Sequence, residues 1–206
     1  MTGFDPTHTQ ERLKAAGYEI GAMDGVAGKL TYAGIFAYVA RRPLAILLPH
    51  GEAAAMWLPH YGIADSVARL ANFVGQAVHE SGNFRYTSEI WGPTKAQRGY
   101  EGRSDLGNIQ PGDGYTFRGR GIFQLTGRAN YRAIGDRVGH PLEDNPALAE
   151  RPDIAMLIAG DFWSLKNLNE LADSGLEDKI TKRINGGVNG LAERRALVAR
   201  AKGLLT

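Results

Sequence analysis

The sequence predicts a mainly α fold in which a small helical unit precedes a larger helical body. Three observations carry this. Apolar residues recur at helical spacing in several separate segments. Glycine-marked breaks of the kind that stop helices divide those segments. One long glycine-rich stretch, with no clear period, interrupts the helical pattern near the middle of the chain.

The elements follow in order. Residues 8–42 give a short helix, a glycine-punctuated loop and a second helix, with Gly17 as a helix stop and Asp24-Gly25 and Gly28 as turn signals. Pro43 to Gly51 reads as a connection, and from Glu52 onward the chain reads as mostly helical. Val67, Leu70, Ala71, Val74, Ala77 and Val78 form one apolar stripe on a helix that ends at Glu80. A further helical region spans roughly 153–168, with Ile154, Leu157, Ile158, Phe162 and Trp163 as core candidates. A last helix runs from about Leu191 to Leu205. Between the first and second of these lies Gly92 to Gly121, which holds eight glycines. A stretch this long without regular structure is functional or disordered. Its aromatics, Tyr100, Tyr115 and Phe117, favour the wall of a binding groove.

Composition sets limits. A hydrophobic share of 43% fits one globular domain, with or without a small module. The chain has no cysteine, which excludes disulfides and thiolate metal sites. The N-terminus lacks the apolar core of a signal peptide, so action outside the cytoplasm would require another route of export. The aliphatic run from Leu44 to Leu48 is too short to span a bilayer. A net charge of +2 gives no argument for nucleic acid. Charge is uneven, however: from Lys179 to the end stand seven basic residues against one acid, Glu193. That end is either a solvated basic face or a weak attachment to an anionic surface such as a membrane.

Two carboxylates stand out. Glu80 closes its helix beside the apolar stripe. The negative end of the helix dipole disfavours a charged carboxylate there, and partial burial acts the same way. Glu80 is thus either a protonated acid able to donate or an ordinary surface glutamate of a last helical turn. Glu89 follows nine residues later, past the break at Ser81-Gly82-Asn83. Two carboxyl groups across a glycosidic bond are the equipment of glycoside hydrolysis. On the last helix Arg194 falls within the apolar arc of Leu191, Leu197, Val198, Ala201, Leu204 and Leu205. An inward arginine needs an acceptor, either one of these carboxylates or a structural Asp or Glu.

The chain from about 55 to 200 resembles glycoside hydrolase family 19. The resemblance rests on His79-Glu80-Ser81-Gly82, Glu89, Gly119 to Gly127 (GRGIFQLTG), Asn130-Tyr131, and Ile184-Asn185-Gly186-Gly187 followed by Arg194. PGDG at 111–114, NGGVNG at 185–190 and the lack of cysteine lean towards its phage endolysin branch. The family implies a lysozyme-like, two-lobed helical catalytic domain, here 46–206. It implies Glu80 as general acid and Glu89 as general base, with Thr126 helping to hold the attacking water. Gln124, Asn130, Tyr131 and Asn185 match sugar-contacting positions, Arg194 matches a partner of the acidic centre, and His79 matches a motif position. Tyr86 and Glu101 join them as groove candidates, Glu101 also as a rival base; Glu52, Asp105 and Asp113 are read as solvated. Residues 1–45 resemble a peptidoglycan-binding repeat through Gln10, Leu13, Gly17-Tyr18, Asp24-Gly25, Gly28 and Thr31, which implies a wall-binding module with Tyr18, Asp24, Gly25 and Gly28 as its marks.

The expected function is that of an endolysin cutting β-1,4 bonds of peptidoglycan with inversion. The carboxyl groups would then stand about 6.5–9.5 Å apart, leaving room for water. A chitinase of the same fold and a non-catalytic wall-binding protein are the alternatives. No cofactor is expected, and His8 and His140 sit outside any zinc-like spacing. The expected partner is the glycan strand. The protein is expected to be a monomer made in a bacterial cytoplasm, acting in the periplasm after holin-type release.

Overall fold

The computed structural model describes residues 3–206. Helix α1 (Pro6–Ala15) begins where the Asp5 carboxylate accepts from the amides of Thr7 and His8, with Pro6 in the first turn. Helix α2 (Lys29–Ala40) is apolar on nearly every side and is buried accordingly, with Tyr32, Ala33, Ile35, Phe36, Ala37 and Val39 at 0–1% exposure.

Helix α3 (Leu44–His60) differs from the expected connection at 43–51. Its prolines, Pro49 and Pro59, argue against a helix in sequence. Burial decides otherwise: Leu47, His50, Gly51, Ala53, Ala54 and Leu58 form one face packed on α2. Pro49 lies on the exposed side. Helix α4 (Val67–Glu80) carries the expected stripe, and Leu70, Ala71, Val74, Ala77 and Val78 are all fully buried.

The glycine-rich stretch is not structureless. It holds two single-turn helices, α5 (Lys95–Arg98) and α6 (Asp113–Thr116). A Thr94–Gln97 capping box starts α5. Then come α7 (Arg128–Val138), α8 (Pro152–Leu165), α9 (Leu168–Asp173), α10 (Glu177–Asn185) and α11 (Leu191–Leu205). Among the described residues the only β pairings are isolated bridges, Ser88 with Arg120 and Arg120 with Leu125.

There are two hydrophobic cores, and α8 borders both. Ala155, Met156, Ala159 and Trp163 face the larger core, which is built with α2, α3, α4 and α11. Ile154 and Ile158, one turn apart, face a smaller core with Phe117, Tyr131, Leu142 and Ala149. The larger core also takes in Leu13 and Ile20, so residues from α1 and the loop after it share the apolar interior of the helical body.

Candidate active site

Glu80 is placed by the crossing of α4 and α11. At Gly75 an added Cβ would fall 2.5 Å from Val198 Cγ2 and 2.8 Å from the Val198 nitrogen, so glycine permits the approach. One turn before Val198, Arg194 then reaches back over α4. It is 3% exposed, donates to Glu80 Oε1 at 2.5 Å and to Gln76 Oε1 at 2.6 Å, and reaches the Asn189 carbonyl at 3.3 Å. Of the acceptors open to the inward arginine, the structure supplies the carboxylate of Glu80. The Glu80 side chain keeps 20% exposure, enough to meet a ligand.

Glu89 is held by backbone pairing. Its amide donates to the Gly119 carbonyl at 2.8 Å, and Gly121 donates to the Thr87 carbonyl at 2.8 Å. Arg120 and Leu125 exchange hydrogen bonds at 3.1 and 2.8 Å, which folds the GRGIFQLTG segment back on itself. The Glu89 carboxylate accepts from the Gly119 amide at 3.2 Å and from Gln97 Nε2 at 3.0 Å. A Cβ on Gly119 would lie 2.6 Å from Gln124 Oε1 and 3.4 Å from Thr126 Oγ1. The glycine thus brings Glu89, Gln124 and Thr126 into one cluster.

The expected sugar contacts divide. Gln124, Thr126 and Asn130 line a groove of about 450 Å³, whose other walls include Leu106, Ile134, Phe162 and Ile184. Neither carboxylate lines it; the link to Glu89 runs through Gly119. Thr126 donates to the Gln124 carbonyl at 2.9 Å, and Asn130 to the Thr126 carbonyl at 2.7 Å. Asn185 donates to the Asn189 carbonyl at 3.1 Å, shaping the turn before α11. Tyr86 is 48% exposed and lies against Gly82. The His79 ring lies against Gly190, its Nδ1 3.1 Å from Glu193 Oε2.

Two expectations, for Tyr131 and Asp113, are corrected, and Glu101 has a structural task as well. Tyr131 is fully buried: its hydroxyl donates to the Arg118 carbonyl at 2.8 Å and accepts from Arg120 at 3.1 Å, so it supports the lobe from beneath. Burial pushes its phenol up to about 12. Glu101 spends both carboxylate oxygens on backbone amides, those of Gly112 at 2.6 Å and Gly114 at 2.8 Å, and so fastens the loop. Asp113, read as solvated, is 2% exposed and paired with Arg128. The Arg128 guanidinium holds its carboxyl below the ordinary range.

Sequence reasoning missed Gln97, and it named Tyr100 and Gly119 only within a groove wall and a motif, without their links to Glu89. The Thr-x-x-Gln spacing before α5 was a legible cap, but its second use, holding Glu89, was not. Tyr100 has its phenol pushed upward by burial and then by the nearby Glu89 charge. In the N-terminal segment, Gln10 is 2% exposed and donates to Asp24 at 2.9 Å, the Val26 carbonyl at 3.1 Å and Thr31 at 3.1 Å, while accepting from the Gly25 amide at 3.0 Å. These motif residues hold the glycine loop together. Tyr18 packs edge-on against Tyr38, and Gly28 leads into α2.

The basic end is largely engaged within the chain. Arg194 is buried against Glu80, Arg195 pairs with Asp178 at 2.6 Å and Lys202 with Glu177. Arg200 and Arg183 donate to the carbonyls of Val39 and Lys166 at 2.9 and 2.7 Å.

A helical body and a glycine-rich lobe, each presenting a partly exposed glutamate, define a mainly helical two-part fold. Comparison with known proteins narrows it. No protein-family model matches the chain. A glycosyl hydrolase family 19 domain-containing protein of Haemophilus influenzae is 38% identical over 99 residues, 48% of this chain and 48% of that protein. An Arabidopsis thaliana endochitinase is 35% identical over 136 residues, 66% of this chain and 45% of the enzyme. The chain thus spans about half or less of the length of these relatives. Among solved structures, chitinase C from Streptomyces griseus superposes with a TM-score of 0.64 at 22% identity, covering 90% of this chain and 79% of that one. A bacterial family 19 chitinase gives 0.65 at 19% identity, covering 87% and 95%. The fold is that of the family 19 chitinases.

Proposed function

We propose that this protein is an inverting glycoside hydrolase acting on β-1,4-linked polymers that contain N-acetylglucosamine. The observation that carries the reading is the presence of two differently held glutamates, Glu80 against Arg194 and Glu89 against the Gly119 amide and Gln97. Glu80, in its protonated form, donates to the bridging oxygen of the scissile bond. Glu89 takes a proton from a water that attacks the anomeric carbon from the opposite face. The Thr126 hydroxyl, beside Gly119, is the group available to hold that water. Gln124, Asn130 and Asn185 present amides suited to sugar hydroxyls and acetamides.

Peptidoglycan is the proposed substrate, in an endolysin role, with residues 1–45 attaching the enzyme to the wall. Support comes from the PGDG and NGGVNG motifs and from the repeat-like pattern around Asp24-Gly25. Chitin is the second reading, favoured by the names of the plant relatives. The test is release of new reducing ends from purified peptidoglycan and from colloidal chitin, by wild type, Glu80→Gln and Glu89→Gln. Activity on peptidoglycan that both variants lose supports the proposal, and activity on chitin alone transfers it to a chitinase. Wall binding without cleavage, unchanged in both variants, would leave a non-catalytic binder. Proton NMR of the first product anomer decides inversion.

A further inference from the structure

The helix carrying Glu80 does not simply end. Gly82, Asn83 and Phe84 follow with φ of 56°, 62° and 57°, three consecutive residues in the left-handed region. Two of them carry side chains, and phenylalanine rarely adopts this conformation. Such a run persists only where its surroundings over-determine it. Local bonds supply part of the constraint. Ser81 Oγ donates to the Ala77 carbonyl at 2.6 Å and accepts from the Phe84 amide at 2.9 Å, and the Asn83 amide donates to the Val78 carbonyl at 2.7 Å.

The remaining constraint comes from far along the chain. The Phe84 ring is 5% exposed and packs 5.0 Å from Phe36 on α2 and 4.9 Å from His50 on α3. Arg42 Nη1 donates to the Asn83 carbonyl at 3.1 Å, across 41 residues. Arg42 is itself set by the end of α2. Arg41 is left-handed at φ 51°, and the amides of Arg41 and Arg42 both donate to the Ala37 carbonyl. Pro43 follows and α3 begins. The junction of α2 and α3 thus meets the turn linking Glu80 to the segment that bears Glu89.

We propose that Arg42 is a positioning residue of the active site, with Phe36 and His50 as the seat for Phe84, and that the N-terminal helices brace the left-handed turn which sets Glu80 relative to Glu89. The idea rests on the glycosidase reading for its catalytic consequence but not for its structural one. It gives residues near the 45/46 boundary a task inside the catalytic body, whatever surface the segment before them recognises.

Two readouts on full-length Arg42→Ala and Arg42→Lys test it. Amide hydrogen exchange should speed up at least tenfold at Asn83, Arg85 and Tyr86 in Arg42→Ala, with amides of α8 unchanged. Hydrolysis of a soluble N-acetylglucosamine oligomer should lose about tenfold in kcat with KM within a factor of two. Arg42→Lys, which keeps a donor for the Asn83 carbonyl, should recover most of both. Unchanged exchange at 83–86 in Arg42→Ala overturns the brace. Faster exchange with unaltered kcat in an active enzyme overturns the positioning role. If wild type cleaves no glycan and matches Glu80→Gln, the glycosidase reading fails and the positioning role with it, while the exchange result still decides the brace.

Discussion

The helical body around α4 and the glycine-rich lobe from 87 to 131 hold their glutamates by different means. The body buries a continuous apolar interior, and Glu80 rides on a helix whose stripe is fully covered. The lobe packs on a small core that it shares with α8 and is fixed by ionic and backbone bonds. Arg128 joins Asp113 and Glu143, Arg120 joins Glu150 at 2.7 Å, and Glu101 ties the amides of Gly112 and Gly114. The lesson is that two glutamates held in such different ways answer to different perturbations. The body is sensitive to packing and the lobe to pH and charge.

The largest effects should fall on the carboxylates. Glu80→Gln and Glu89→Gln should each lower the rate by about 10²–10⁴-fold, read as reducing ends released, with melting temperature little changed. Glu101→Gln sharpens the comparison, because it should loosen the lobe while retaining most of the activity. Loss in Glu101→Gln as deep as in Glu89→Gln would move the base from Glu89 to Glu101.

Next comes the link between the two helices of the body. Arg194→Met removes charged hydrogen bonds to Glu80 and Gln76. It should cost about 1–3 kcal/mol, at roughly 2–4 °C per kcal/mol for a chain of this size. Calorimetry checks the stability, and activity should fall with it because Glu80 loses its partner. A stable variant of full activity would show that the pair does nothing for the acid.

Strong acid should loosen the lobe more than the body. Arg132 and Arg128 hold the Glu143 carboxyl down to about 2, and Arg128 holds Asp113 low. A carboxyl lowered in the native state stabilises above its unfolded value, and that stabilisation is lost as pH falls through the native value. The contribution of Glu143 should therefore be complete above about pH 5 and fade towards pH 2. Melting scans of wild type and Glu143→Gln should differ at pH 7, still differ at pH 3 and converge only near pH 2.

The smallest effect concerns the body. His50 is 7% exposed with neither ring nitrogen bonded, and burial, then the Arg42 charge, lowers its affinity for a proton. The unfolded chain takes up that proton first, so stability falls as pH drops below about 6.5. His50→Phe should remove this slope, leaving the variant ahead of wild type by a degree or two on the order expected for a sub-kcal/mol change at pH 5, and less at pH 7.

Much was legible in the residues themselves. Helical spacing gave α4, α8 and α11, because a buried face repeats along the chain whatever it packs against. It also turned Arg194 inward, since an arginine within an apolar arc must find an acceptor. The glycines and aromatics of 92–121 marked an ordered lobe. Other features depended on contacts between distant residues. Pro49 and Pro59 sit in a helix because α2 offers that helix a surface. Tyr131 and Asp113 looked available and are buried, since neither periodicity nor composition reveals what lies above a side chain. Local pattern thus determined the main helical stripes, those of α4, α8 and α11, and the candidate acids. Only the tertiary structure decided which groups meet: Arg194 with Glu80 across 114 residues, the Gly119 amide with Glu89 across 30, and Arg42 with the Asn83 carbonyl across 41. The physical reason is that these bonds form between segments brought together by packing, and no single segment encodes its partner.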